Sequence, residues 1–246
     1  MLPTFHLYGL FIGLGIILGL WLASKIQKKL GNWDQVYLDY DLDNVLMWII
    51  IPGIIGARLY HVIDYWNYYQ SNLLEAIMLW HGGLGIYGAI LGGFIGLWLF
   101  NKSKKNNILI PLDIIAFALP ISQAIGRLGN FVNQELYGLP TTLPWGIWID
   151  PSHRVQQYLQ FNYFHPIFAY EALANLILVF LMLKIVKVKH QHGFYIGLYL
   201  IGYSLIRFSL DFLRIDPWKI GILSTAQWIS LCLFILGIGL IKFNPK

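Results

Sequence analysis

The chain has 246 residues, of which 57% are hydrophobic and only 12% charged, whereas soluble domains carry roughly a quarter charged residues. That excludes an ordinary soluble globule, and the net charge of +5 gives no reason to expect nucleic acid, because the basic residues fall in short, separated clusters. Cys232 is the single cysteine and sits in the last apolar run, so neither an internal disulfide nor a cysteine-based metal centre can form within one chain.

Apolar runs near the roughly 20 residues that span a bilayer lie at 5–24, 44–62, 84–100, 111–126, 166–186, 194–213 and 222–241. They predict an all-α integral membrane protein of seven transmembrane helices, a single polytopic domain over residues 1–246. The first run is followed, not preceded, by Lys25, Lys28 and Lys29, so it reads as a retained helix and not a cleaved signal. Further clusters at Lys102/Lys104/Lys105, Lys184/Lys187/Lys189 and Lys242/Lys246 recur one helical hairpin apart. With seven helices they fall on one side, which the positive-inside rule makes cytoplasmic. The N-terminus is then outside and the C-terminus cytoplasmic.

Glycines at four-residue spacing, Gly15 and Gly19 in the first run and Gly88, Gly92 and Gly96 in the third, predict close helix packing. Tyr60, Tyr65, Trp66, Tyr68, Tyr69 and Trp80 suit an interfacial aromatic belt. Asp113, soon after Pro111, reads as a helix-start residue on the cytoplasmic side. The longest non-apolar stretch, about 127–165, is expected outside, with Pro140, Pro144 and Pro151 shaping its turns.

All five arginines, Arg58, Arg127, Arg154, Arg207 and Arg214, fall in the half away from the lysine clusters. A planar, multidentate cation suits phosphate or carboxylate recognition; local ion pairing and snorkelling are the alternative. In the sixth run Tyr203, Arg207, Asp211 and Arg214 project into one sector of about 80° at 100° per residue. An Arg207–Asp211 pair at i, i+4 explains part of that stripe. A central arginine costs roughly 2.5–3.5 kcal/mol to insert, more than the ~1 kcal/mol at most that a surface-type pair returns, which favours a substrate-facing role.

The most informative segment is GRLGNFVNQELYG, Gly126 to Gly138, expected to begin where the fourth helix leaves the membrane. Polar side chains this dense beside an apolar helix must be buried in protein or line a wet cavity. A re-entrant turn with Arg127 paired to Glu135 satisfies the charges without explaining the glycines. Gly126, Arg127, Gly129, Asn130, Phe131, Asn133, Glu135 and Gly138 resemble the signature of the prolipoprotein diacylglyceryl transferase family. HLYG with Tyr8, GARLY with Arg58, HGGL at His81, HPIFAYE from His165 to Glu171 and GYSLIRFSLDFLR extend that resemblance over nearly the whole chain. Two departures are Asp211, where the family usually has Glu, and a short outer stretch after Gly138, which puts details of peptide recognition in doubt.

The resemblance implies an enzyme of the bacterial cytoplasmic (inner) membrane, its active site toward the periplasm. It would transfer the diacylglyceryl group of phosphatidylglycerol to the lipobox cysteine of a prolipoprotein signal peptide, making a thioether and releasing glycerol phosphate. Its partners would be these two substrates and the surrounding membrane lipids, with no nucleic acid and no metal or organic cofactor. A thiol of pKa near 8.5 is only a few per cent thiolate at neutral pH, and His81 is the candidate base, with Gly82 and Gly83 leaving room beside its ring; a hydrogen-bonded histidine at a helix entry is the alternative. Arg127 and Arg207 are the candidates for the phosphate. The resemblance further implies that Asn130, Glu135 and Gly138 shape the head-group site, that Tyr8 donates a hydrogen bond there, and that Arg58 and Arg214 contact phosphate or peptide. Tyr203 and Asp211 join the site through the polar stripe. His165, Tyr170 and Glu171 either orient the outer stretch or cap the fifth helix. A transporter of an anionic lipid or solute, an intramembrane protease and a phosphatidyl transferase are the competing readings.

Overall fold

A computed structural model describes residues 7–242, with side chains from residue 9 onward. Seven long helices fall on the seven apolar runs: α1 (Leu7–Gly31), α2 (Leu42–Asp64), α4 (Ile86–Lys104), α5 (Leu109–Val132), α6 (Ile167–Ile185), α7 (Phe194–Asp211) and α8 (Thr225–Lys242), with a single helical turn α3 (Trp66–Tyr69) after α2. Among the described residues, α1, α2, α5, α6 and α8 are long and apolar enough to cross a membrane. The protein is therefore a helical membrane protein. Among the described residues it departs from an all-α reading in two short antiparallel ladders, β1 (Ile147–Trp148) with β2 (Tyr163–Phe164) and β3 (Lys219–Ile220) with β4 (Leu223–Ser224), and in two isolated β-bridges.

The backbone divides into two compact units, one of residues up to Leu38 together with Leu112 onward, the other Asp39–Pro111. In the smaller unit α2 and α4 pack through glycine. A Cβ on Gly56 would sit 2.3 Å from the Gly88 carbonyl oxygen, one on Gly92 2.2 Å from that of Pro52, and one on Gly96 1.7 Å from that of Trp48. Side chains here would force the backbones apart, and close van der Waals contact is what holds helices together where lipid is as apolar as protein. Asp41 caps α2 by accepting from the Asn44 N–H at 3.2 Å.

In the larger unit α1 meets α5 through Gly15 and Gly19, with Ser122 Oγ donating 2.8 Å to the Gly15 carbonyl. Gly197 and Gly237 bring α7 onto α8 in the same manner. Asp113 departs from its expected role. It lies on α5, yet its buried carboxylate accepts from the Gly193 N–H at 2.6 Å, the Ile196 N–H at 3.0 Å and the Tyr37 hydroxyl at 3.0 Å. It satisfies the orphan donors at the start of α7, not those of its own helix, and so helps fix the element that carries Arg207 and Asp211.

The segment after α5 builds a small core of its own. Tyr137, Ile149 and Phe164 are buried together, with Ile147, Tyr158 and Ile215 against them. Tyr137 Oη donates to the His153 carbonyl at 2.8 Å and accepts from the Val155 N–H at 2.9 Å. A long connection is thereby made rigid enough to position side chains at the ends of α5 and α6.

Candidate active site

The fourth apolar run was expected to end at about residue 126, but α5 continues to Val132. Arg127 and Asn130 therefore stand one turn apart on the same helix face, and Arg127 Nη1 donates to Asn130 Oδ1 at 3.0 Å. Asn130, itself buried, donates through Nδ2 to Glu135 Oε1 at 2.8 Å. The Arg127–Glu135 pair of the alternative reading is not formed. Arg127 Nη2 is bound instead to Glu171 Oε1 of α6 at 2.5 Å, while Glu135 is exposed and coupled to the arginine only through Asn130. Glu171 is 3% exposed, so its charge requires a cation. An acid inside the apolar run 166–186 was the signal available in the sequence, because an intramembrane acid calls for a partner, though without saying which one; the expectation of a capping or orienting role missed it.

A second pair lies at the end of α7. Arg207 Nη2 is 3.5 Å and Arg214 Nη1 3.9 Å from Asp211 Oδ1, and Asp211 Oδ2 accepts from the Ser224 hydroxyl. Because α7 ends at Asp211, the helical projection does not apply to Arg214, which reaches the same carboxylate from beyond the helix. The two groups share one electrostatic neighbourhood. Arg214 feels Arg207, Asp211, Glu171 and Arg127, and Tyr203 feels Glu171 and all three arginines. Burial first, and then the neighbouring Arg207, hold the Arg214 guanidinium below its ordinary value, with Asp211 and Glu171 opposing. Three guanidiniums face two buried carboxylates, Arg127 Nε is buried without a hydrogen-bond partner among the described residues, and Asp211 Oδ1 is in the same condition. The unfilled Arg127 Nε–H suits an incoming anion, whereas the Asp211 oxygen, an acceptor, calls for a donor such as a hydroxyl.

Gly138 is placed by backbone crossing. Its N–H donates to the His165 carbonyl at 2.8 Å and it bridges Arg214. A Cβ there would lie 2.6 Å from Ile167 Cδ1 and 2.7 Å from the Leu213 carbonyl oxygen. The glycine thus joins three segments, and its contribution to the site is made through them. An apolar groove of about 570 Å³ opens beside Arg127, lined also by Phe131, Trp145, Phe168 and Tyr170.

In the Asp39–Pro111 unit, Arg58 corrects an expectation. Nε donates to the Ala76 carbonyl at 2.9 Å, Nη1 to those of Gly82 and Gly83 at 2.5 and 2.9 Å, and Nη2 to those of Glu75 and, at 3.1 Å, Met78. A guanidinium has five N–H donors, and all are spent on the 75–83 loop, which leaves none for phosphate or peptide. Gly82 and Gly83 adopt φ of 82° and 77°, and a Cβ on Gly83 would strike His61 and Arg58. These glycines are needed for the turn and the packing, not to clear space at His81. His81 itself is exposed and lines a pocket of about 560 Å³ with His61, Tyr65, Tyr68, Tyr69 and Glu75. The side chain of Tyr8 lies outside the described residues.

Comparison with known proteins agrees with this chemistry. The family model for prolipoprotein diacylglyceryl transferase matches residues 2–243. The chain is 43% identical over 199 residues to a protein of Fervidobacterium nodosum, covering 80% of this chain and 68% of that one. It is 37% identical to one of Synechococcus elongatus (94% and 80% covered) and 38% identical to one of Finegoldia magna (97% and 91%). All three relatives are named phosphatidylglycerol–prolipoprotein diacylglyceryl transferase, and that favours a transferase over a transporter. The chain belongs to the prolipoprotein diacylglyceryl transferase family.

Proposed function

We propose that this chain transfers the diacylglyceryl group of phosphatidylglycerol to the lipobox cysteine thiol of a prolipoprotein signal peptide, forming a thioether and releasing glycerol phosphate. The observation that carries the reading is the gathering of Arg127, Arg207 and Arg214 around only two buried carboxylates, Glu171 and Asp211. One phosphodiester anion supplies the missing charge. As the carbon–oxygen bond breaks, charge grows on the phosphate, and donors already in place stabilise it without reorganising. Asn130 and Glu171 hold Arg127 in position, Asp211 holds Arg207 and Arg214, and Tyr203 stands among them. Seven membrane-spanning helices with the N-terminus outside, in the bacterial inner membrane, would turn the end of α5 and the start of α6 toward the periplasm, where signal peptides emerge; the lysine clusters support that orientation.

The test uses purified protein in detergent, phosphatidylglycerol labelled in its diacylglyceryl part, and lipobox peptides with Cys or Ser at the acceptor position. Label on the Cys peptide alone is the expected result. A folded protein that labels neither peptide would sink the reading.

A further inference from the structure

The groove beside Arg127 holds a route for the proton that does not involve His81. Tyr170, at the start of α6, lines that groove together with Arg127 and Trp145. Trp145 Nε1 donates to Tyr170 Oη at 2.8 Å, and His165 Nδ1 lies 3.2 Å from the same oxygen. A phenol oxygen has one proton and two lone pairs, while an indole N–H only donates. Trp145 therefore takes one lone pair, and the state of His165 decides what Tyr170 shows to the groove. With Nδ1 unprotonated, Tyr170 donates to it and turns its second lone pair to the groove. With His165 as imidazolium, Nδ1–H donates and Tyr170 turns its own proton to the groove.

We propose that Tyr170 is a further catalytic residue of the transfer reaction, carrying the acceptor thiol's proton to His165 and returning it to the departing phosphate. The proposal rests on the transferase reading. In the first step the S–H proton passes to Tyr170 Oη while the phenol proton moves to His165 Nδ1. The thiolate then attacks the glyceryl carbon, so that a C–S bond forms and the C–O bond to phosphorus breaks, leaving both electrons on the phosphate oxygen. Finally, Tyr170 gives its proton to that oxygen and recovers one from the imidazolium. The products are the thioether and a glycerol phosphate bearing the thiol's proton, and no further reactant is consumed.

His165 acts through Tyr170 as a positioning residue and proton store. The charged or titratable groups on the elements around it are Arg127 of α5, Tyr170 and Glu171 of α6, Asp211 and Arg214 at the end of α7, and Glu135, Tyr137, Asp150, His153, Arg154, Tyr158 and Tyr163 of the outer segment. An imidazole accepts a proton on its free ring nitrogen and gives it back, which is what a thiol and then a departing phosphate require of it. Arg127 in the same groove stabilises both anions.

The experiment is the pH dependence of single-turnover transfer from phosphatidylglycerol to a Cys lipobox peptide. The proteins are the unsubstituted chain, Tyr170→Phe, His165→Gln, the double variant, His81→Gln, and the chain with 3-fluorotyrosine at position 170. Loss of about 10²-fold or more is expected in Tyr170→Phe and in His165→Gln, with no further loss in the double variant. The acid limb should be present in the unsubstituted chain and in His81→Gln, and absent in His165→Gln. The fluorinated phenol, which keeps its size and packing, should shift the profile even where Tyr170→Phe melts early. Transfer at the full rate in either single variant, an unmoved profile with fluorotyrosine, or an acid limb lost in His81→Gln and kept in His165→Gln would overturn the proposal. An inactive unsubstituted chain would bring down the transferase reading itself.

Discussion

Arg58 and Arg127 are both arginines on apolar helices, each set in motif residues, yet their surroundings differ. Arg58 is 5% exposed and spends five donors on five carbonyls of one loop. Arg127 is bound to Glu171 and Asn130, keeps a buried Nε without a partner among the described residues, and opens onto a groove. Residue type and motif membership do not separate the two. What separates them is whether the protein has already satisfied the guanidinium. A saturated arginine holds structure, and an unsaturated one beside a cavity can serve a ligand.

The largest effect should come from Arg127→Ala, with transfer reduced about 10²–10³-fold, as when one donor to a developing oxyanion is removed. This variant leaves the buried Glu171 without its cation, a loss of roughly 3–5 kcal/mol in comparable pairs. Thermal melts should show recovery of stability when Glu171→Gln is added, with activity still lost. Recovery of both together would reduce Arg127 to a structural residue and break the comparison. Arg58→Lys should act in the opposite sense. Three donors on a flexible stem cannot serve five carbonyls, and charge-assisted bonds are worth about 1.5–3 kcal/mol each. A fall of about 2–4 kcal/mol in stability is expected, while the KM for lipid of the folded fraction stays within about threefold. Gly138→Ala should cost about 1–3 kcal/mol by overpacking, read as a lower melting temperature, because its Cβ would meet Ile167 and the Leu213 carbonyl. The smallest effect belongs to Arg154→Ala. That side chain donates to the Ile149 and Leu159 carbonyls in an exposed turn, so less than about 1 kcal/mol and no change in transfer is expected.

Much of this was legible in the sequence. The apolar runs marked every long helix, the glycine spacing marked the α2–α4 and α1–α5 contacts, and helical periodicity placed Tyr203, Arg207 and Asp211 on one stripe. The Arg127–Glu171 pair was not, because 44 residues separate the partners along the chain and local spacing pointed to the nearer Glu135. Nor was the role of Arg58, since backbone carbonyls leave no trace in residue type. Asp113 misled for a related reason. A carboxylate near a helix start is assumed to cap that helix, and here it caps α7, which follows 80 residues later.

The central claim is that Arg127 and Arg207 act as one clamp on the lipid phosphate. Its most direct test is the chemical step of transfer, followed in a single turnover for the unsubstituted chain, Arg127→Ala, Arg207→Ala and the double variant, each verified as folded. The account predicts that each single variant loses about 10²-fold or more and that the double loses little beyond either, as groups acting as a unit do. Full-rate transfer in either single variant, or losses that simply multiply in the double, would contradict it.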